Sequence, residues 1–99
     1  MPNRIIKESI GTSETLAQLT AAQERHFWRI LVQADDYGCF DGRPHVIRAK
    51  AYSAMLDKVS EKVSEDATRY LRDVGLIHLY VVDGKRYGHI PTWDKHQRT

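Results

Sequence analysis

The stretch GLIHLYVVDGKRYGHIP, residues 75–91, decides how this chain folds. Leu76 to Val82 is rich in β-branched and aromatic residues, which suit a pleated strand. Asp83 and Gly84 follow, a pair that tolerates the positive φ needed at both central positions of a two-residue hairpin turn. Lys85 to Thr92 then returns as the partner strand, with Pro91 marking its end because proline has no N–H for the ladder. This register sets Tyr80 opposite Tyr87 and His78 opposite His89. Gly75 stands where a helix would end on a left-handed residue, so the hairpin should follow a helix directly.

That helix is predicted over 60–74. Val63, Ala67, Tyr70, Leu71 and Val74 fall at helical spacing and form its expected core face. Further upstream, Pro44 suits the first turn of a shorter helix, where its missing N–H costs nothing. Val46, Ile47, Ala49 and Ala51 carry that helix to about residue 52, and 53–59 reads as a turn or an extra helical turn. Cys39 and Phe40, between Gly38 and Asp41-Gly42, make a very short strand. The first strong helix starts at Thr20, which forms a capping-box pattern with Gln23. Phe27, Ile30, Leu31 and Ala34 give its core stripe, and it should end near Asp36. Trp28 and Val32 lie around from that stripe, either as a widened core or as a partner surface.

The order is therefore helix, tiny strand, helix, helix, hairpin. We expect an α+β, mainly helical fold of the winged helix-turn-helix type: a three-helix core with a C-terminal β-hairpin wing. Residues 1–19 would be an N-terminal extension with a brief helix carrying Leu16 and Leu19. Residues 20–92 would be the winged-helix domain, and 93–99 a polar tail or the start of a linker.

Composition narrows the function classes. The 99 residues allow one domain. Hydrophobic residues are 41% and charged residues 28%, ordinary for a globular protein. The net charge of +2 permits nucleic-acid binding without demanding it. Cys39 is the only cysteine, so neither an internal disulfide nor a multi-thiolate zinc site can form. No secretory signal or membrane-spanning run is visible, which leads us to expect a cytoplasmic protein.

The segment Gln33-Ala34-Asp35-Asp36-Tyr37-Gly38-Cys39-Phe40-Asp41-Gly42-Arg43-Pro44 and the ending Trp93-Asp94-Lys95-His96-Gln97 carry a family likeness. So do Arg4 to Ile10, Gly75-Leu76-Ile77 and Asp83 to Tyr87. On these segments the chain resembles the N-terminal domain of phage and prophage replication-initiation proteins, the DnaD-like replisome organisers. The likeness covers nearly the whole chain. It implies a bacterial or phage-infected host, a part in assembling a replication-initiation complex, and partners such as a helicase or its loader. In that family a basic linker and a DNA-contacting C-terminal domain follow, so Thr99 would fall where such a linker begins.

Two kinds of site are expected. For DNA, the candidates are Lys62, Arg69 and Arg72 on the third helix, Lys85 and Arg86 on the wing, and Arg43 and Arg48 around the second helix. Together with Lys50, Lys58, Lys95, His96 and Arg98 they would bind double-stranded DNA mainly through phosphates. Glu65, four residues before Arg69, favours an intrahelical pair instead, and Glu61, Glu65 and Asp66 repel phosphate at that helix start. For a protein partner or a homo-oligomer, the candidates are Trp28, Val32, Ile5 and Ile6, with Ile10 beside them.

No enzyme is expected. Asp35 and Asp36 are adjacent and would diverge on a helix, so they are not a paired acid and base. Cys39 reads as a buried, inert thiol. The His78–His89 pair has no carboxylate or thiolate placed to complete a metal site. His26 is expected on the solvated side of the first helix. No cofactor and no membrane contact are implied.

Overall fold

A computed structural model describes residues 14–91, together with the backbone of 5–6 and 97–98. It is a small α+β structure with four helices and a three-stranded antiparallel sheet. In chain order the elements are β1 (Ile5–Ile6), α1 (Glu14–Ala17), α2 (Ala21–Leu31), β2 (Cys39–Asp41), α3 (Pro44–Ala51), α4 (Glu61–Asp73), β3 (His78–Val82), β4 (Lys85–His89) and β5 (Gln97–Arg98).

Local chemistry sets most of these boundaries. The Thr20 hydroxyl accepts from the Gln23 N–H while the Gln23 side chain accepts from the Thr20 N–H, closing the box that starts α2. Ser60 caps α4 by accepting from the Val63 N–H. Gly75, with φ +85°, ends α4. Asp83 and Gly84, at φ 52° and 79°, make the hairpin turn, and Tyr80 stacks on Tyr87 across it with ring centroids 5.8 Å apart.

The sheet order is β2-β4-β3. The short strand β2 therefore closes on the second arm of the hairpin, with Phe40 opposite Gly88. The Phe40 ring lies across that glycine: a Cβ there would stand 2.1 Å from Phe40 Cζ. The core gathers beneath, from Leu16, Phe27, Ile30, Leu31, Ala34, Phe40, Ile47, Leu71, Leu76, Ile77 and Ile90. A smaller cluster of Ala51, Tyr52 and Val59 packs under the turn after α3. Separately, β1 pairs antiparallel with β5, Ile5 opposite Arg98, bringing the two ends of the chain together.

Three sequence expectations need correction. The first strong helix ends at Leu31, not near Asp36; two turns follow, and Asp35 organises the next loop by accepting from the Tyr37 and Cys39 N–H groups. The core face of α4 is turned by about one residue. Ser64, Thr68 and Leu71 are buried, while Val63 is 58% and Tyr70 37% exposed. His26 is wholly buried rather than solvated. The last two have one cause. His26 projects from α2 into α4, where the Thr68 hydroxyl meets its imidazole, so Thr68 rather than Tyr70 faces inward. Among the described residues no helix is long and apolar enough to cross a membrane.

Candidate nucleic-acid interface

Five of the predicted DNA contacts, Lys62, Arg69, Arg72, Lys85 and Arg86, lie on α4 and the hairpin, Arg43 and Arg48 lie at the start and last turn of α3, and each of the seven is met by a carboxylate or a carbonyl. Lys62 pairs with Asp66 at 3.0 Å, Arg69 with Glu65 at 3.0 Å, and Arg72 with the adjacent Asp73 at 3.0 Å. The Lys62 and Arg72 pairs are exposed on both sides, whereas Arg69 is 60% accessible and its partner Glu65 only 15%. Pairs exposed on both sides contribute little to stability and exchange partners readily. Lys85 stands 3.7 Å from Asp41 and over the Tyr87 ring.

Arg86 is different. Its guanidinium grips both oxygens of Glu65 at 2.7 Å, while its Nε donates to the Gly42 carbonyl. Both side chains are under one-fifth exposed. The sequence expectation of Arg86 as a DNA contact on the wing needs correction: it is a strut joining β4, α4 and the loop after β2. With Arg86 donating, the Glu65 carboxyl is held below its ordinary range, an effect that Arg69 reinforces and burial opposes.

Arg43 and Arg48 are similarly engaged. Arg43 makes a two-point contact with Asp41, and this pairing drives the Asp41 carboxyl far below the usual carboxylate range. Arg48 donates to the Val59 and Leu56 carbonyls and so folds the turn after α3 back onto that helix.

At the junction of α2, α3 and α4 lies a buried polar chain that sequence reasoning missed. Thr68 Oγ1 donates its one proton to the Ser64 carbonyl at 2.9 Å. It can therefore only accept at the 2.7 Å contact with His26 Nε2, which fixes His26 as the Nε2–H tautomer. Nδ1 then accepts from the Tyr52 hydroxyl at 2.5 Å. Burial is the main force holding His26 neutral: its pKa falls from 6.5 to about 4, with Arg25 pushing the same way and Glu65 against. The signal was present in the sequence, since His26 stands four residues before Ile30 and so shares its helix face.

Of the expected partner surface, Trp28 is half-buried, tilted against Phe27 and packed on the core, while Val32 is 55% exposed. Ile5 and Ile6 are placed as backbone in β1; their side chains, with Ile10, Lys95, His96 and the Arg98 side chain, lie outside the described residues. Cys39 is a free thiol of intermediate exposure at the sheet edge. His78 and His89 do face each other at 6.4 Å, and no group of three metal-ligating residues exists among the described residues. Comparison of the chain with protein-family models, curated proteins and solved structures gives no match in any of the three.

Proposed function

We propose that this chain is a winged helix-turn-helix module that binds duplex DNA mainly through phosphates, as part of a phage-type replication-initiation protein in a bacterial cytoplasm. The observation that carries this is topological. A helix, a short strand, two helices and a hairpin follow in order, and the short strand closes on the far arm of the hairpin. In the winged-helix plan that arrangement sets α4 beside the wing as the pair of elements that meets nucleic acid. The Glu65–Arg86 strut supports it by fixing the wing against α4.

On this reading Lys62, Arg69, Arg72 and Lys85 remain candidate contacts, since each cation is accessible and can turn toward a phosphate. Arg86, Arg43 and Arg48 shape the site instead of touching DNA. The helicase or loader contact, implied by the family likeness, belongs to the larger assembly, in which weak modules gain by linkage. The test is fluorescence anisotropy of a labelled duplex over a salt series. Binding that weakens steeply with salt supports the reading; no binding even at low salt refutes it.

A second reading has one specific observation behind it. Val63, Ala67 and Tyr70 form an apolar stripe at helical spacing along the outer side of α4, over a shallow groove of about 330 Å³ shared with Tyr52, Arg25 and Asp66. An apolar face of that kind suits a protein partner or a second copy better than a phosphate backbone. Light scattering beside the anisotropy separates the two: a stable dimer that ignores DNA favours the protein module.

A further inference from the structure

Residues 14–91 hold as many Asp and Glu as Lys and Arg, so the net charge of the whole chain sits in its termini. Within that neutral body the charges are unevenly distributed. Every cation on α4 and the hairpin, and Arg43 beside them, has a carboxylate within 4 Å. The end of α3 and the turn after it are the reverse. Arg48, Lys50 and Lys58 lie on this segment with only Asp57 against them, and α2 lays Arg25 and Arg29 on it through the ring of Tyr52. None of these five cations pairs with a carboxylate among the described residues.

Part of this has a structural reason. Arg29 donates to the Ala51 carbonyl at 2.5 Å, a backbone acceptor at the C-terminus of α3 where positive charge is favoured, and Arg48 donates to the Leu56 and Val59 carbonyls of the following turn. Arg25, Lys50 and Lys58 have no such task, and all three are exposed. Arg25 and Arg29 are moreover four residues apart on one helix, a like-charge spacing that costs stability. Both guanidiniums sit over the same tyrosine ring, 5.6 and 5.3 Å from its centroid, which holds them in place without neutralising them.

We propose that this pole, with Arg25, Lys50 and Lys58 as its contact groups, is a nucleic-acid backbone site, and that it supplies more of the phosphate affinity than α4 and the wing. The proposal rests on the DNA-binding function above and assigns it a surface. The physical basis is the cost of approach. A phosphate reaching Lys62, Arg69 or Arg72 must displace Asp66, Glu65 or Asp73 and then remain beside that displaced carboxylate. One reaching Lys50 or Lys58 displaces only water and counterions, and one reaching Arg25 meets a guanidinium held by the Tyr52 side chain with no carboxylate to displace.

The test compares two triple variants with the unmodified chain on one labelled duplex across a salt series: Arg25→Gln with Lys50→Gln and Lys58→Gln, and Lys62→Gln with Arg69→Gln and Arg72→Gln. Arg29 and Arg48 stay untouched because they hold backbone, and circular dichroism melts confirm that both variants fold. Each lost phosphate contact lowers the slope of log K against log salt by about 0.9. The first variant should therefore lose about two to three units of slope and about tenfold or more in affinity near 0.1 M salt. The second should lose less than one unit. Equal loss in both, or greater loss in the second, overturns the assignment while leaving DNA binding intact. Absence of binding by the unmodified chain overturns both.

Discussion

Replacing Arg86 by Gln tests whether that residue is a strut or a DNA contact. The side chain makes two charge-assisted hydrogen bonds of 2.7 Å to Glu65 and a third to the Gly42 carbonyl. Hydrogen bonds to charged groups contribute about 1.5–3 kcal/mol each when well made. Two considerations lower the sum: Glu65 keeps Arg69 as a partner, so its charge is not abandoned, and the pair is partly hydrated. The pair is nevertheless too enclosed for the ~0–1 kcal/mol of an open surface bridge. Arg86→Gln should therefore cost about 2 kcal/mol, a Tm fall of roughly 8–16 °C for a domain of this size. Glu65→Gln and the double variant complete a cycle whose coupling should exceed about 1 kcal/mol. The assay is urea unfolding by circular dichroism, with DNA anisotropy run alongside. An unchanged urea midpoint together with a lost salt slope would make Arg86 a phosphate contact and refute the strut. The same cycle run at lower pH has a defined sign. Glu65 has a depressed folded pKa, so its stabilisation is present above the unfolded carboxylate range and disappears as pH falls through the folded value.

Four further outcomes follow from the packing. His26, with its pKa lowered from 6.5 to about 4, binds a proton more readily unfolded than folded; stability should therefore fall as pH drops from 6.5 toward 4, by roughly 2 kcal/mol at pH 5, and His26→Gln should flatten that part of a pH series of urea midpoints. Thr68→Val leaves the His26 Nε2–H without an acceptor and should cost about 1–3 kcal/mol by urea denaturation, whereas Val63→Ser, on an exposed site, should change stability by less than about 1 kcal/mol. Ser64 Oγ is buried with no hydrogen-bond partner among the described residues, so Ser64→Ala should be neutral or raise the melting temperature. Gly88→Ala drives a methyl into the Phe40 ring and should destabilise by about 1–3 kcal/mol or more in the same unfolding assay.

How much of this was legible in the sequence depends on whether the determinant was local. The Thr20–Gln23 box, Pro44 at the start of α3, Gly75 after α4 and the Asp83–Gly84 turn all depend on residues within a few positions of each other, and all stand where their chemistry places them. The helix faces depend on what packs opposite. Ranked by hydrophobicity, Val63 and Tyr70 outbid Ser64 and Thr68 for the core of α4. For Thr68 the opposite order holds because α2 supplies an imidazole at that depth, 42 residues away along the chain; Ser64 is buried with no hydrogen-bond partner among the described residues. The length of α2 failed for a related reason: Ala34 is buried as expected, but from a turn rather than from a helix.

The candidate site divides along the same line. That Lys62, Arg69 and Arg72 would share one exposed helix was readable from spacing, and so was the Glu65–Arg69 pair. That Arg86 would reach 21 residues back to Glu65 was not, because only the folded hairpin brings them together. This changes what a count of basic residues means here. A cation list taken from sequence overstates the positive field of α4 and the wing, since the fold supplies a carboxylate to each member. It understates the end of α3, where the folded chain supplies carbonyls and a tyrosine ring, which orient a guanidinium but leave its charge in place. The potential a polyanion meets is set by which partners cancel charge and which only position it. On that basis phosphate affinity should follow Arg25, Lys50 and Lys58 more closely than the helix that topology alone would nominate.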